Sequence, residues 1–285
     1  MTQVTQPPTA PVPAGPAQPP GASGGRDDAN WRPAVRIIAV LVVVAALAIG
    51  TLTVVSTFFM RQHTESKTFT GTVSAVRVTE DVGDVKLRTV QSGGPVRASA
   101  RITDSFQDAS WSANLESGTL VVDGTCTQVG ISLFFNCSVD LTIDVPAGVP
   151  VEVESDTGDL TVIGAFSAVD LTTSTGDVTV QQTTGPVRIR SNTGDVRASG
   201  TRSLSFDTDT DTGDVRLSFD VQPQQVSART NTGDVRVLVP EDTTPYDIDT
   251  DTDTGDVSVD VTNVAGSPHR ITARTDTGDV TVRYR

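Results

Sequence analysis

From Val169 to Val282 the chain alternates apolar and polar residues with a period of two, in short paired runs. One member of each pair is Val178/Val180, Val215/Leu217/Phe219, Val235/Val237/Val239, Val257/Val259/Val261 or Val280/Val282. The other member precedes it, as Val169/Leu171, Val187/Ile189, Leu204/Phe206 or Tyr246/Ile248. This period predicts β-strands buried on one face. The first run continues on the same phase through hydroxyl residues, as in Phe206, Thr208, Thr210 and Thr212, so its buried face is expected to grade from aliphatic to Thr. Thr212 and Val215 are both expected to point inward although they lie three apart, which demands a corner between them.

That corner is a repeated sequence. Thr-Gly-Asp followed by Val or Leu occurs seven times, with its aspartate at Asp159, Asp177, Asp195, Asp214, Asp234, Asp256 and Asp279, at spacings of 18, 18, 19, 20, 22 and 23 residues. A recurring unit of this length is the mark of a solenoid. The motif glycines, Gly158, Gly176, Gly194, Gly213, Gly233, Gly255 and Gly278, are expected to supply the positive φ of the corner. A looser corner opposite carries Gly164, Gly185-Pro186, Gly200, Pro223, Pro240 with Pro245, and Gly266 with Pro268. The fold class expected is all-β, a β-solenoid of rungs of 18–23 residues stacked as parallel ladders about 4.8 Å apart, with two sheets roughly 10 Å apart. Val82–Val85 and Ser117–Leu120 read as degenerate corners that add early rungs, and Gly93–Val96 as a loose corner.

Upstream the pattern changes. Residues 1–30 form a Pro/Gly-rich stretch with seven of the sixteen prolines before Gly21 and no apolar periodicity, and are expected to be disordered. Ile37 to Met60 contains no charged residue, so residues 35–60 are expected to be a single membrane-spanning helix, uncleaved because Phe58-Phe59-Met60-Arg61 is no cleavage site. Arg26, Arg32 and Arg36 before it, against Arg61 and Lys67 after it, favour a cytoplasmic N-terminus and an extracytoplasmic C-terminal domain. Trp31 and Phe58-Phe59 suit the two membrane interfaces. Residues 61–67 read as a juxtamembrane linker and 68–285 as the extracytoplasmic solenoid.

Cys126 and Cys137 are the two cysteines, eleven apart, and are expected to close a hairpin turning near Gly130 with a disulfide, in an oxidising compartment. The net charge of −14 excludes a general nucleic-acid binder. Beyond Arg61 there remain 17 basic and 33 acidic residues, an ectodomain that anionic surfaces repel.

Residues 141–160, running Leu-Thr-Ile-Asp-Val-Pro-Ala-Gly-Val-Pro-Val-Glu-Val from Leu141 and closing on Ser155-Asp-Thr-Gly-Asp-Leu160, resemble the toast-rack-like family of proposed bacterial adhesins. That family is of unknown function and includes cell-envelope stress proteins. The resemblance covers residues 68–285. It implies a β-solenoid exposed outside a bacterial membrane and brings no catalytic residues.

Three kinds of chemistry remain to be weighed. Stacked carboxylates about 4.8 Å apart repel one another by about 1 kcal/mol in water and 3–4 kcal/mol at an effective dielectric of 20. Ca²⁺ bound by the seven motif aspartates would relieve this; so would Arg197, Arg216 and Arg236, two residues after the motif Asp, or backbone hydrogen bonds and hydration. Asp-Thr-Gly at Asp156, Asp211, Asp253 and Asp276 matches the aspartic-protease tripeptide, but it recurs at the rung period and is replaced by Ser174, Asn192 and Asn231, so the solenoid accounts for it. A polysaccharide-active enzyme needs an isolated acidic pair and aromatic platforms, for which only Trp111 and Tyr246 are candidates; His63 and His269 have no nucleophile partner. The expected function is non-enzymatic, without catalytic residues or cofactor: an adhesin-like or scaffold protein, with an envelope protein or cell-wall polymer as partner and envelope-stress sensing as a possible role. A polysaccharide-active enzyme and a Ca²⁺-dependent module are the alternatives.

Overall fold

A computed structural model describes residues 32–58, 61–90, 94–104, 108–127 and 137–285. The tail expected over 1–30, Trp31, and the turn near Gly130 lie outside these residues. The chain divides into two units, Met1–Thr51 and Leu52–Arg285. Arg32–Phe58 forms a helix, α1, and overlaps the expected membrane span. Its aliphatic side chains are bare, with Ile37 60% and Leu47 64% exposed. Side chains are described for residues 35–51 of it, and among the described residues no helix is long and apolar enough to cross a membrane.

Beyond the end of α1 at Phe58, the second unit is all-β. Its first strands are β1 (Arg61–Phe69), β2 (Ala75–Val82), β3 (Val85–Val90), β4 (Val96–Asp104), β5 (Asp108–Glu116), β6 (Thr119–Thr127) and β7 (Cys137–Pro146). Paired strands then follow, each pair joined by a Thr-Gly-Asp corner: β8 (Pro150–Thr157) and β9 (Leu160–Ile163), β10 (Ala168–Thr175) and β11 (Val178–Gln181), β12 (Val187–Thr193) and β13 (Val196–Thr201). The series continues with β14 (Ser205–Thr212) and β15 (Val215–Phe219), β16 (Gln225–Thr232) and β17 (Val235–Val239). It ends with β18 (Asp247–Thr254) and β19 (Val257–Asp260), then β20 (Arg270–Thr277) and β21 (Val280–Tyr284). The first member of each pair lies in a ten-stranded sheet and the second in an eleven-stranded sheet. Within each sheet these strands run parallel and in register, as Val169↔Val187 and Val178↔Val196 show. The inward positions form one core, including Leu171, Ile189, Phe206, Val226, Val215, Leu217 and Val237. Phe206 and Phe219 meet edge to face across it, with ring centroids 5.9 Å apart.

Several expectations are corrected. The buried face stops one step short of the motif: Thr210 is buried, whereas Asp211 and Thr212 are exposed. The bend therefore begins before Thr212, and the motif threonines line the outside of the corner. Val82–Val85 is a true corner, but Ser117-Gly118 is the turn of an antiparallel hairpin, β5–β6, with positive φ at both residues. The presumed linker is strand β1, antiparallel to β4, which is antiparallel to β7. Its side chains are polar and mostly exposed, so no apolar alternation announced it. Cys126 and Cys137 are bonded, Cα to Cα 6.0 Å, yet they end β6 in one sheet and begin β7 in the other; the bridge ties the two sheets together.

The rungs also leave chain order. β20 and β21 are inserted between β16/β17 and β18/β19, so the penultimate rung is the outermost. The inward faces explain the exchange. Ile271 and Ala273 of β20 are fully buried beside Val226 and Ala228 of β16. The corresponding Ile248, Thr250 and Thr252 of β18 are half-buried, and Val257 of β19 is 47% exposed. A rung with Thr in place of Ala loses less at an open end, as terminal repeats of a stack require. At the other end β1 closes over β5: Trp111 Nε1 donates to Glu65 Oε2 at 2.7 Å, and Lys67 Nζ lies 5.2 Å from the Trp111 ring centroid.

Candidate functional site: the Thr-Gly-Asp edge

Parallel register places every motif in one file along the solenoid. From Asp140 of β7 through the corners as far as Asp279, the aspartate Oδ1 accepts a hydrogen bond from the backbone N–H of the aspartate on the neighbouring rung. The file runs Asp140, Asp84, Asp159, Asp177, Asp195, Asp214, Asp234, Asp279, Asp256, with N···O distances from 2.8 to 3.3 Å. A carboxylate held by an amide donor is stabilised in its charged form. The second oxygen is free for arginine. Arg197 spans Asp177 and Asp195 at 2.9 and 2.5 Å, and Arg216 reaches Asp214 at 2.7 Å and Asp195 at 3.8 Å. The Asp234 amide, with Arg216, holds the Asp214 carboxyl below its usual range, and Asp177 together with Asp195 holds the Arg197 guanidinium above its own. Two of the three reliefs weighed from sequence, backbone donors and arginine, thus act together. Arg236 makes no ion pair among the described residues.

The glycine beside each aspartate is confined by its neighbour. Gly213 has φ +143°, and a Cβ there would fall 2.0 Å from the carbonyl oxygen of Gly194. The seven candidate cation ligands are one rung apart and do not converge. Among the described residues no group of three or more His, Cys, Asp or Glu could hold a metal ion. Asp156, Asp211, Asp253 and Asp276 are exposed on the flank of the same edge, with Asn231 Nδ2 donating to Asp211 at 3.2 Å.

Just inside the corner lies a second file that sequence reasoning missed in part. Glu80, Ser155, Thr173, Ser191, Thr210, Thr230 and Thr275 stack in register on the inward face. Thr230 and Thr275 donate to the carbonyls of Gly213 and Gly233, at 3.0 and 2.9 Å. Glu80 heads the file, 1% exposed, in space left open by Gly124, whose Cβ would lie 1.8 Å from its Oε2. Its Oε1 accepts from the Val82 amide at 3.1 Å and its Oε2 has no partner among the described residues. Burial, with Asp81 and Asp140 nearby, pushes this carboxyl up to about 8. The signal was present: Val76, Val78 and Glu80 share one phase. Of the aromatic candidates, Tyr246 is fully buried and packs edge to face on His269, and Trp111 is tied to Lys67 and Glu65.

No protein of curated function matches the chain. Among solved structures, a proposed adhesin from Bacteroides fragilis NCTC 9343 is 12% identical, over 79% of this chain and 97% of that one, with a TM-score of 0.46. A proposed cell adhesion protein from Clostridium sporogenes ATCC 15579 is 11% identical, over 79% of this chain and all of that one (100%), with a TM-score of 0.35. The family model described as Toastrack DUF4097 matches residues 112–285, from the middle of β5 through the last rung. The chain thus belongs to the Toastrack DUF4097 family.

Proposed function

We propose that this protein is a non-enzymatic binding or scaffold protein of the bacterial cell envelope, held in the membrane by residues 35–60 with its β-solenoid outside. The observation that carries the binding part is the use made of the acidic edge. The carboxylates that could have served catalysis are acceptors for neighbouring amides and arginines, and what remains outward is a pair of long, regular sheet faces. Repeat stacks present such faces to extended partners. Anchorage is supported by the uncharged run from Ile37 to Met60, and an oxidising location by the bonded cysteines.

Protease added to intact cells expressing the full chain tests the placement. Digestion of the β unit with protection of the residues before Arg32 is expected; full protection of the β unit overturns it. Capture with the full chain from envelope fractions tests the function, which fails if neither a membrane protein nor cell-wall material is retained.

A further inference from the structure

On the solvent face of the ten-stranded sheet, neighbouring rungs carry opposite charges over much of its length. Arg77 meets Glu152 at 2.9 Å, and Arg188 and Arg190 face Asp207 and Asp209, each at 3.8 Å. The exchange of the last two rungs breaks this alternation. In chain order β18 would adjoin β16 and set Asp251 against Arg229 and Asp249 against Ser227. Instead Arg274 stands opposite Arg229, Arg270 opposite Gln225 and Thr272 opposite Ser227. Like charges directly across a strand pair are destabilising. Arg229 makes no ion pair among the described residues; its Nη1 turns to Ser227 Oγ at 2.6 Å.

A depression of about 500 Å³ opens at this point. Ser227 and Thr272 line it, and Arg188, Arg229 and Arg270 line it from three different strands. The acid at its rim, Asp207, is engaged with Arg188, and Arg270 reaches away to Asp247 at 3.0 Å. In a chain of net charge −14, a hollow lined by three arginines against one aspartate is a local reversal of sign. Guanidinium forks match oxyanions. Arg229 is the unpaired fork among the described residues, and once Arg188 and Arg270 exchange Asp207 and Asp247 for a ligand, forks on three strands suit a tetrahedral group, whose oxygens diverge, better than a planar carboxylate, which one fork satisfies.

We propose that this trough binds a phosphate group of an envelope component, and that the rung exchange exists in part to assemble it. The proposal rests on the binding reading above but not on membrane anchorage. It is tested with the full chain in phosphatidylcholine nanodiscs, titrated with inorganic phosphate, with soluble poly(glycerol phosphate), and with vesicles containing phosphatidylglycerol. Saturable binding in any arm is expected to weaken with salt and to fall by about tenfold or more in Arg229→Gln and Arg270→Gln. Arg229→Lys, which keeps the charge and loses the fork, should fall in between, and Arg101→Gln on the other sheet should bind as the parent does. Preference for the polymer, the vesicle or the free ion identifies the source of the phosphate. Three results overturn the proposal: no binding in any arm, binding indifferent to the arginine variants, or equal binding of polygalacturonate. Since Arg229 is exposed, circular dichroism of Arg229→Gln should match the parent. If the parent and Arg229→Gln capture the same envelope material equally, the phosphate site fails while the envelope-binding reading stands.

Discussion

Gly213 meets two constraints at once, a positive φ and a neighbouring carbonyl 2.0 Å from where its Cβ would lie. Gly213→Val should therefore cost roughly 2–4 kcal/mol, more than the backbone conformation alone, read as a lowered unfolding midpoint. An unchanged midpoint would refute the corner geometry. The need for glycine was legible in the repeat; the second reason was not, because it depends on which rung lies next door. Glu80 makes a sharper case. Its folded-state carboxyl titrates near 8 against an ordinary 4.5. Between those values the folded chain holds a proton that the unfolded chain has released, so this contribution to stability is complete below pH 4.5 and is lost as pH rises through 8. Glu80→Gln should be the more stable form at pH 9, by roughly 2–5 kcal/mol, and should flatten the fall in melting temperature between pH 4.5 and 8. Parallel pH profiles for the two proteins would count against the burial described.

At the scale of elements, the aspartate file stitches parallel strands through their corners. Asp195→Asn keeps an acceptor for the Asp214 amide and gives up only exposed ion pairs, so it should change stability by about 1 kcal/mol or less. Asp195→Ala leaves that amide without its acceptor and should cost about 1–3 kcal/mol. If equilibrium denaturation ranks the two the other way, the arginines rather than the amides carry the corner. The disulfide acts between elements as well: replacing Cys126 and Cys137 by Ser should cost about 2–4 kcal/mol, since it unties β6 from β7. Paired runs and Thr-Gly-Asp corners made the parallel strands legible from β8 onward. The antiparallel strands were hidden for physical reasons: β1 buries almost nothing, and Ser117-Gly118 is a turn sequence that serves a hairpin as well as a rung.

For the whole molecule, the order of the rungs was the part that periodicity could not convey. β18 and β20 share one pattern, Ile248-Asp-Thr-Asp-Thr-Asp-Thr254 against Ile271-Thr-Ala-Arg-Thr-Asp-Thr277. Only the contrast of Thr250 with Ala273 separates them, along with the arginines brought together on the outer face. A chain shortened before Arg270 loses an internal rung, not an end. Hydrogen exchange should then show β18 and β19 unprotected along with newly exposed β16 and β17, whereas a solenoid stacked in chain order would keep β18 and β19 protected. The interleaving also sets a sequence of events during biogenesis. Residues 247–260 emerge before their neighbours in the sheets, and reach their final places only once residues 270–284 arrive between them and the growing column. Closure of this end is thus a late checkpoint, and for that interval the nascent protein displays the apolar flank of β16 and β17 to whatever chaperone escorts it.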